Sequence, residues 1–202
     1  MNSPGLRERK KQKTRWAIQE HALRLIAEQG YEATTVDQIA AAAEISPSTF
    51  FRYFKAKEDL IVEDEYDSIL ESGLTGLDAS IPPLEAIRSV MVGALSGMTT
   101  EDRRKVLART RLVRDVPALR ARASQNFTAT VDLLAKAMAE RTGRPADSLE
   151  VMAFSGAVIG ALTAVFTLWL NDADDEAIVN NGDYLPDLID RVLTLIGSGL
   201  PL

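Results

Sequence analysis

Between Thr35 and Lys57 the chain sets hydroxyls, rings and cations close together on two short predicted elements. Thr35, Ser46, Ser48 and Thr49 carry hydroxyls, Arg52, Lys55 and Lys57 carry positive charge, and Phe51 and Tyr53 stand among them. Hydroxyls, cations and backbone N–H groups are the donors that hold phosphate oxygens, while side chains on a helix in the major groove read base edges. The chemistry this set points to is recognition of duplex DNA. The plainer reading of the same residues is that Thr35 only caps a helix and that Phe51 and Tyr53 only pack.

Other chemistries find no support. The absence of cysteine excludes disulfides, thiolate zinc sites and cysteine nucleophiles. His21 is the only histidine and sits mid-helix beside Glu20, with no partner for a catalytic role. There is no G-x-S-x-G and no phosphate-cradling glycine loop. Asp172, Asp174, Asp175 and Glu176 are acidic, but they lack the glycine and terminal glutamate of a calcium loop, so a solvated connection is expected. No catalytic residue, metal site or cofactor is expected, and the chain does not read as an enzyme.

The elements that position the set are helical. Ile18, Ala22, Leu25 and Ile26 fall on one side of a helix running from Trp16 to Gln29, and Gly30 ends it. Thr35 and Gln38 form a T-x-x-Q capping box, so Thr35 is the expected N-cap of a second helix with Val36, Ile39, Ala40 and Ala43 inward. Ser46 followed by Pro47 gives an N-cap and a proline at N1 for a third, which runs to Tyr53 or Phe54. Phe50 and Phe54 face inward, leaving the surface that contains Pro47, Ser48, Thr49, Phe51, Arg52 and Tyr53 to face out. Lys55 and Lys57 precede a fourth helix, where they can meet phosphates together with free N–H groups.

Charge divides the same way. Residues 1–60 hold 10 Lys+Arg against 8 Asp+Glu, whereas residues 61–202 hold 13 against 21. Six of the basic residues of the first part lie between Arg7 and Arg15, an arm suited to sequence-blind attraction to a DNA backbone, or else a solubilising tail. The start of the chain lacks the apolar run of a secretory signal, so a cytoplasmic protein is the expectation.

Residues 16–60 resemble the DNA-binding domain of the TetR family of bacterial one-component repressors. The residues that carry the likeness are Ala22-Leu23, Gly30-Tyr31, Thr34-Thr35-Val36, Ile39-Ala40, Ser46, Thr49-Phe50, Arg52-Tyr53-Phe54, Lys57 and Leu60. The resemblance implies that Ser48, Thr49 and Phe51 approach bases, that Thr35, Tyr53 and Lys57 hold phosphates, and that Arg52 does either. Two residues depart from the family. Glu44 stands where a turn glycine is usual, which costs about 1 kcal/mol if the backbone is left-handed there. Phe51 replaces a tyrosine, which removes a donor and leaves packing or contact with a thymine methyl.

The remainder also reads as helix. Helix 4 is expected over Lys57–Leu77 with an acidic cluster at Glu63, Asp64, Glu65 and Asp67. Further helices follow from Pro82-Pro83 to Met98, from Thr99 or Thr100 to Arg114, and from Pro117 to Gly143. An Asp147-x-x-Glu150 signal opens the next, and a last one covers Tyr184–Ile196. Val151–Leu170 is uncharged and long enough to cross a bilayer, and it contains Gly156 and Gly160 at G-x-x-x-G spacing. Its flanks are acidic and nothing basic fixes an orientation, so burial within the protein and against a second subunit explains it better than a membrane. In the TetR family the last two helices pair with their copies; by that resemblance Gly156, Gly160, Leu188, Val192 and Leu195 lie in a homodimer interface.

Arg103 to Arg122 is a basic stretch in an otherwise acidic body. It reads either as a solvated face that pairs with helix 4 or as an anion site at the mouth of an apolar pocket, and the two are compatible. Arg109 to Arg120, with the Phe50–Phe54 helix, resembles a TetR branch linked to acyl-CoA-like ligands. That resemblance implies an effector pocket drawing on Met91, Leu95, Arg109, Arg111, Phe127, Leu134, Phe154, Val158, Leu162, Phe166 and Trp169, each of which is by itself ordinary core.

The expected architecture is all-α with about nine helices. A basic arm and a three-helix helix-turn-helix DNA-binding domain occupy residues 1–60, and a larger helical effector-binding and dimerisation domain occupies 61–202. The expected function is a ligand-responsive repressor on a palindromic operator. An activator or dual regulator of the same fold, and a helical scaffold without DNA binding, are the alternatives.

Overall fold

The computed structural model describes residues 6–62, 70, 73–171 and 179–200. The described residues contain helices and no strand. They comprise α1 (Leu6–Gln29), α2 (Val36–Ala42), α3 (Pro47–Tyr53), α4 (Lys57–Val62), α5 (Pro83–Ser96), α6 (Thr100–Asp115), α7 (Pro117–Thr142), α8 (Leu149–Asn171) and α9 (Tyr184–Gly197). The acidic residues at 63–67 and 172–176 lie outside the described residues.

The chain divides into two compact units. One joins residues Met1–Asp64 to Leu112–Ala123, and the other joins Glu65–Arg111 to Ser124–Leu202. The first unit is therefore more than the three helices and arm expected at 1–60: it takes the end of α6 and the first turns of α7 from the later sequence.

In that unit α1 begins ten residues earlier than its apolar periodicity indicates. Leu6 to Arg15 is Leu, Arg, Glu, Lys and Gln with one threonine, nearly all strong helix formers, so propensity carries the helix back through residues with no apolar stripe. The basic segment is thus a helical extension and not an extended arm. Ile18, Ala22 and Ile26, one turn apart, are buried with Tyr31, Ile39, Phe50, Phe54, Leu60, Ile61 and Leu119. Gly30, at φ +86°, stops the helix, and its N–H donates to Ile26 O at 2.8 Å.

The turn between α2 and α3 explains its odd residue. Glu44 has φ +54°. Its N–H donates to Ala41 O (3.1 Å) and the N–H of Ile45 to Ala40 O (2.9 Å), the two bonds of a Schellman motif with Glu44 at C′. Glycine enters this conformation without a Cβ clash; glutamate does not.

The second unit is held by apolar packing and by arginines that grip main chain. Ile87, Met91 and Leu95 of α5, Leu134 and Met138 of α7, Val158, Leu162 and Trp169 of α8 and Ile189 and Leu193 of α9 are buried in one core. Arg88 of α5 pairs with Asp190 and reaches Thr194 Oγ1 at 3.1 Å, fastening α9. Arg103 donates to Met98 O (2.7 Å), Val179 O (2.6 Å) and Thr100 Oγ1 (3.1 Å). Arg141 donates to Ile81 O (2.9 Å) and to Asp78 O. Asp102 closes a capping box with Thr99, and hydrogen bonds from Thr99 hold its carboxyl below the usual aspartate range. At α8 the cap differs by one residue from the Asp147 signal: Ser148 Oγ accepts the N–H of Val151 (3.4 Å) and Ser148 O that of Met152 (3.0 Å).

Replacing Glu44 by glycine relieves the left-handed strain, partly offset by the entropy glycine adds to the unfolded chain. Glu44→Gly should raise stability by about 0.5–1 kcal/mol in urea unfolding. An unchanged or lower midpoint would show that the turn is not strained.

Candidate nucleic-acid interface

The recognition surface is built by caps. Thr35 Oγ1 accepts the Gln38 N–H (3.2 Å) and Gln38 Oε1 accepts the Thr35 N–H (2.9 Å), so the capping box at the start of α2 is complete. Gln29 Nε2 donates to Gln38 Oε1 at 3.0 Å, which ties the end of α1 to that box. At α3, Ser46 Oγ accepts the N–H of Thr49 (3.1 Å) and lies 2.8 Å from Ser48 Oγ and 2.9 Å from Thr49 Oγ1, with Pro47 at N1. Three hydroxyls therefore converge on the first turn of α3. Ser46, Pro47 and Ser48 are exposed and Thr49 is half-buried.

Behind the hydroxyls α3 is anchored by its own rings. Phe50 is fully buried and packs on Phe54 at 5.6 Å between centroids. Phe51 projects outward, 54% exposed, edge-on to Phe50 at 5.4 Å. Arg52 is exposed and its guanidinium lies 5.5 Å from the ring of half-buried Tyr53. Lys55 is exposed on the connection to α4. Thr35, Ser46, Pro47, Ser48, Phe51, Arg52 and Lys55 thus all present to solvent, and Thr49 and Tyr53 do so in part.

Lys57 is placed otherwise than the sequence suggests. Its ammonium donates to Tyr31 O (2.9 Å) and Thr34 O (3.0 Å) and stands 3.9 Å from the centroid of the Tyr31 ring. Two of its three donors are spent on the connection between α1 and α2, because those carbonyls and the ring face offer a better-shielded site than water does. The Tyr31 hydroxyl in turn donates to Glu58 Oε1 at 3.1 Å. Burial, then the Glu58 carboxylate, push the Tyr31 phenol above its ordinary range, so it remains a neutral donor.

The Ala56 N–H ahead of α4 is engaged within the protein as well. Ala56 N–H donates to Asp59 Oδ2 at 3.0 Å. Asp59 is fully buried, and its other oxygen accepts Arg122 Nε at 2.6 Å. The arginine comes from the first turns of α7 and is partly exposed; Leu119, one turn before it, is buried in the same core. Tyr31 and Asp59 are residues whose roles the sequence did not disclose, whereas Arg122 on Asp59 is an instance of the pairing between the basic stretch and helix 4 that the sequence offered as one of two readings. Asp59 at the third position after Ala56 had the spacing of a capping residue; nothing local marked Arg122 as its partner.

Of the residues expected around an effector, Met91, Leu95, Leu134, Val158, Leu162 and Trp169 share the core of the second unit, with Phe154 and Phe166 packed at its edge. Phe127 does not join them and is 37% exposed. Arg109 and Arg111 are half-buried and each already engages neighbours.

Lys57→Ala should lower the stability of the folded protein by about 2 kcal/mol through two lost charged hydrogen bonds and a cation–π contact, read by urea unfolding. A change below 0.5 kcal/mol, roughly that of an exposed lysine, would contradict this placement. Arg122→Ala leaves a buried carboxylate short of a partner and should cost about 2–3 kcal/mol, whereas Arg24→Ala, which breaks an exposed pair with Glu28, should cost about 0.5 kcal/mol or less. Equal costs in the two variants would contradict a structural role for Arg122.

Comparison with known proteins agrees with this geometry. The family model for bacterial regulatory proteins of the tetR family matches residues 18–63, and that for the MftR C-terminal domain matches residues 81–201. The HTH-type transcriptional regulator TcmR of Streptomyces glaucescens is 36% identical over 150 residues, which cover 70% of this chain and 66%, just under two thirds, of that relative. The TetR-family repressor FadR of Thermus thermophilus, solved with lauroyl-CoA, is 22% identical with a TM-score of 0.57, covering 93% of this chain and 95% of its own. FadR of Bacillus subtilis, solved with stearoyl-CoA, is 20% identical with a TM-score of 0.53, covering 92% and 99%. At these identities the two structures speak for the fold, while the two family matches between them take in both the cap-built head and the helical body: the chain belongs to the TetR family of bacterial regulatory proteins.

Proposed function

We propose that the chain is a cytoplasmic, homodimeric repressor that binds a palindromic operator and leaves it when a small apolar effector enters its helical body. The observation that carries the reading is the first turn of α3. Ser46, Ser48 and Thr49 are clustered there, the two serines exposed and Thr49 half-buried, on a helix anchored by buried Phe50 and a capped start. A short helix of this kind can enter a major groove with its N-terminal side chains at base edges. Membership of the family makes the chain a regulator and not an enzyme.

In this reading Ser48, Thr49 and Phe51 meet bases, and Thr35, Ser46, Pro47, Arg52, Tyr53 and Lys55 border the backbone. Lys57 acts from behind, by holding the turn that carries Thr35. The lysines and arginines of the α1 extension add an attraction that does not depend on sequence.

Dimerisation is supported by what α8 and α9 leave uncovered. A Cβ at Gly156 or Gly160 would meet nothing within 4 Å beyond its own stretch of helix, and Leu195 is exposed while Leu188 and Val192 are half-buried. Residues Leu149–Leu170 are long and apolar enough to cross a membrane, and only 33% of that apolar window is buried within the subunit. A second copy that covers the glycine face accounts for this better than lipid does, because α9, whose buried residues share a core with those of α8, also leaves apolar Leu195 exposed. Two family structures were solved with acyl-CoA thioesters, and an acyl chain suits the apolar core around Met91, Leu95, Leu134, Val158 and Leu162. Effector binding then favours a dimer whose heads no longer match the operator spacing.

Ser48→Ala or Thr49→Ala should alter which duplexes are preferred, by about 1–3 kcal/mol at the affected position. Lys55→Ala should weaken all duplexes by one factor and reduce the salt slope by about 1. Competition binding over a set of duplexes at several salt concentrations reads both. Uniform weakening by the serine and threonine variants would overturn the placement of α3 at the bases.

A further inference from the structure

The core-facing stripe of α8 holds two polar groups with nothing to bind. Ser155 and Trp169 are both fully buried, and neither Ser155 Oγ nor Trp169 Nε1 has a hydrogen-bond partner. The buried arginine nitrogens differ from these two atoms: Arg88 Nε lies 3.3 Å from Glu85 Oε2, and Arg111 engages neighbours. The threonines of the same helix show the ordinary solution. Thr163 and Thr167 donate to the carbonyls four residues back, at 2.8 and 2.9 Å. Ser155 does not make that bond. The Trp169 N–H is a donor only, carried on a rigid ring that packs edge-on to Phe166 at 6.4 Å.

The two atoms belong to one line. Fourteen residues apart, their Cα atoms are separated by about 21 Å along the helix and by about 40° around it, at 1.5 Å and 100° per residue. Between them the same face offers Val158, Leu162 and Val165, all buried and apolar. Buried donors in native cores are almost always satisfied, by protein, water or ligand, because leaving one unmade costs more than a typical hydrogen bond returns. A plain saturated chain lying along this stripe would leave at least one donor unmet. A palmitoyl chain measured from its thioester carbonyl is of comparable length to the gap between them.

We propose that Ser155 and Trp169 are specificity-determining residues of the effector site, and that the effector is a long acyl-type molecule with an oxygen acceptor at each end of its buried part. A thioester or carboxyl oxygen meets one residue, and a hydroxyl or keto oxygen at the far end of the chain meets the other. The inference rests on the reading that the body holds an apolar effector, and it adds the second oxygen. The same two groups penalise a plain chain, because a site built to bond an oxygen rejects a ligand that lacks it.

The test titrates the full chain with palmitoyl-CoA and with ω-hydroxypalmitoyl-CoA. Trp16 and Trp169 are the only two tryptophans, and Trp16 is half-exposed, so Trp16→Phe leaves Trp169 as the fluorescent reporter. The hydroxylated thioester should bind at least about tenfold more tightly and shift the Trp169 emission to the red as its N–H is bonded. Ser155→Ala and Trp169→Phe, the latter read by titration calorimetry because it lacks the reporter, should each bring the ratio of the two affinities towards one while binding palmitoyl-CoA no less well. Should Trp169→Phe fail to fold, Ser155→Ala and the emission shift decide the matter. Equal affinity for the two thioesters, or an unchanged ratio in the folded variants, overturns the proposal while leaving the effector reading intact. Binding of neither thioester overturns both.

Discussion

A carboxylate shut away from water organises the head of this protein. Asp59 is fully buried, and a buried charge is tolerable only with close partners. One oxygen takes the Ala56 N–H and so fixes where α4 begins; the other takes Arg122, which the chain supplies from more than sixty residues later. Once α4 starts at Lys57, Leu60 and Ile61 enter the core against Ile18, Ala22 and Phe50, and the Lys57 ammonium falls within reach of Tyr31 O and Thr34 O. Leu119 fills the same core. Residues 112–123 are therefore part of the head by chemistry, although the sequence places them in the middle of the body.

The reading surface inherits its order from this interior. Lys57 holds the connection between α1 and α2; that connection positions Thr35; and the Thr35–Gln38 box, joined by Gln29, sets the start of α2. The Schellman turn then delivers α3 with its hydroxyls outward. The chain accepts a left-handed glutamate to make that turn. The Lys57 ammonium, which the sequence reading places at phosphate, spends two of its three donors on Tyr31 O and Thr34 O and so braces the connection between α1 and α2.

Local chemistry was legible; long-range pairing was not. Thr35 with Gln38, Ser46 with Pro47, Gly30 and the unusual Glu44 all declare themselves, because a cap or turn needs residues within four positions of one another. The order and approximate bounds of the helices follow from the same signals and from apolar spacing. The start of α1 was missed because helix propensity, without an apolar stripe, carries it through the basic segment. At α8 the Asp147 signal and the observed cap at Ser148 differ by one residue, between two good capping types. Asp59 with Arg122, and Lys57 with Tyr31 and Thr34, depend on contacts made only when the chain closes. Ser155 looked like any small residue in an apolar helix until its hydroxyl was found without a partner.

In the proposed function this head reads a specific, two-fold symmetric DNA sequence. Selection of duplexes from a random pool by the 202-residue chain tests this reading most directly. Enrichment of one palindromic site with half-sites one helical turn, ~34–36 Å, apart is expected. Recovery of duplexes with no shared sequence, bound with the same affinity as the starting pool, would contradict it.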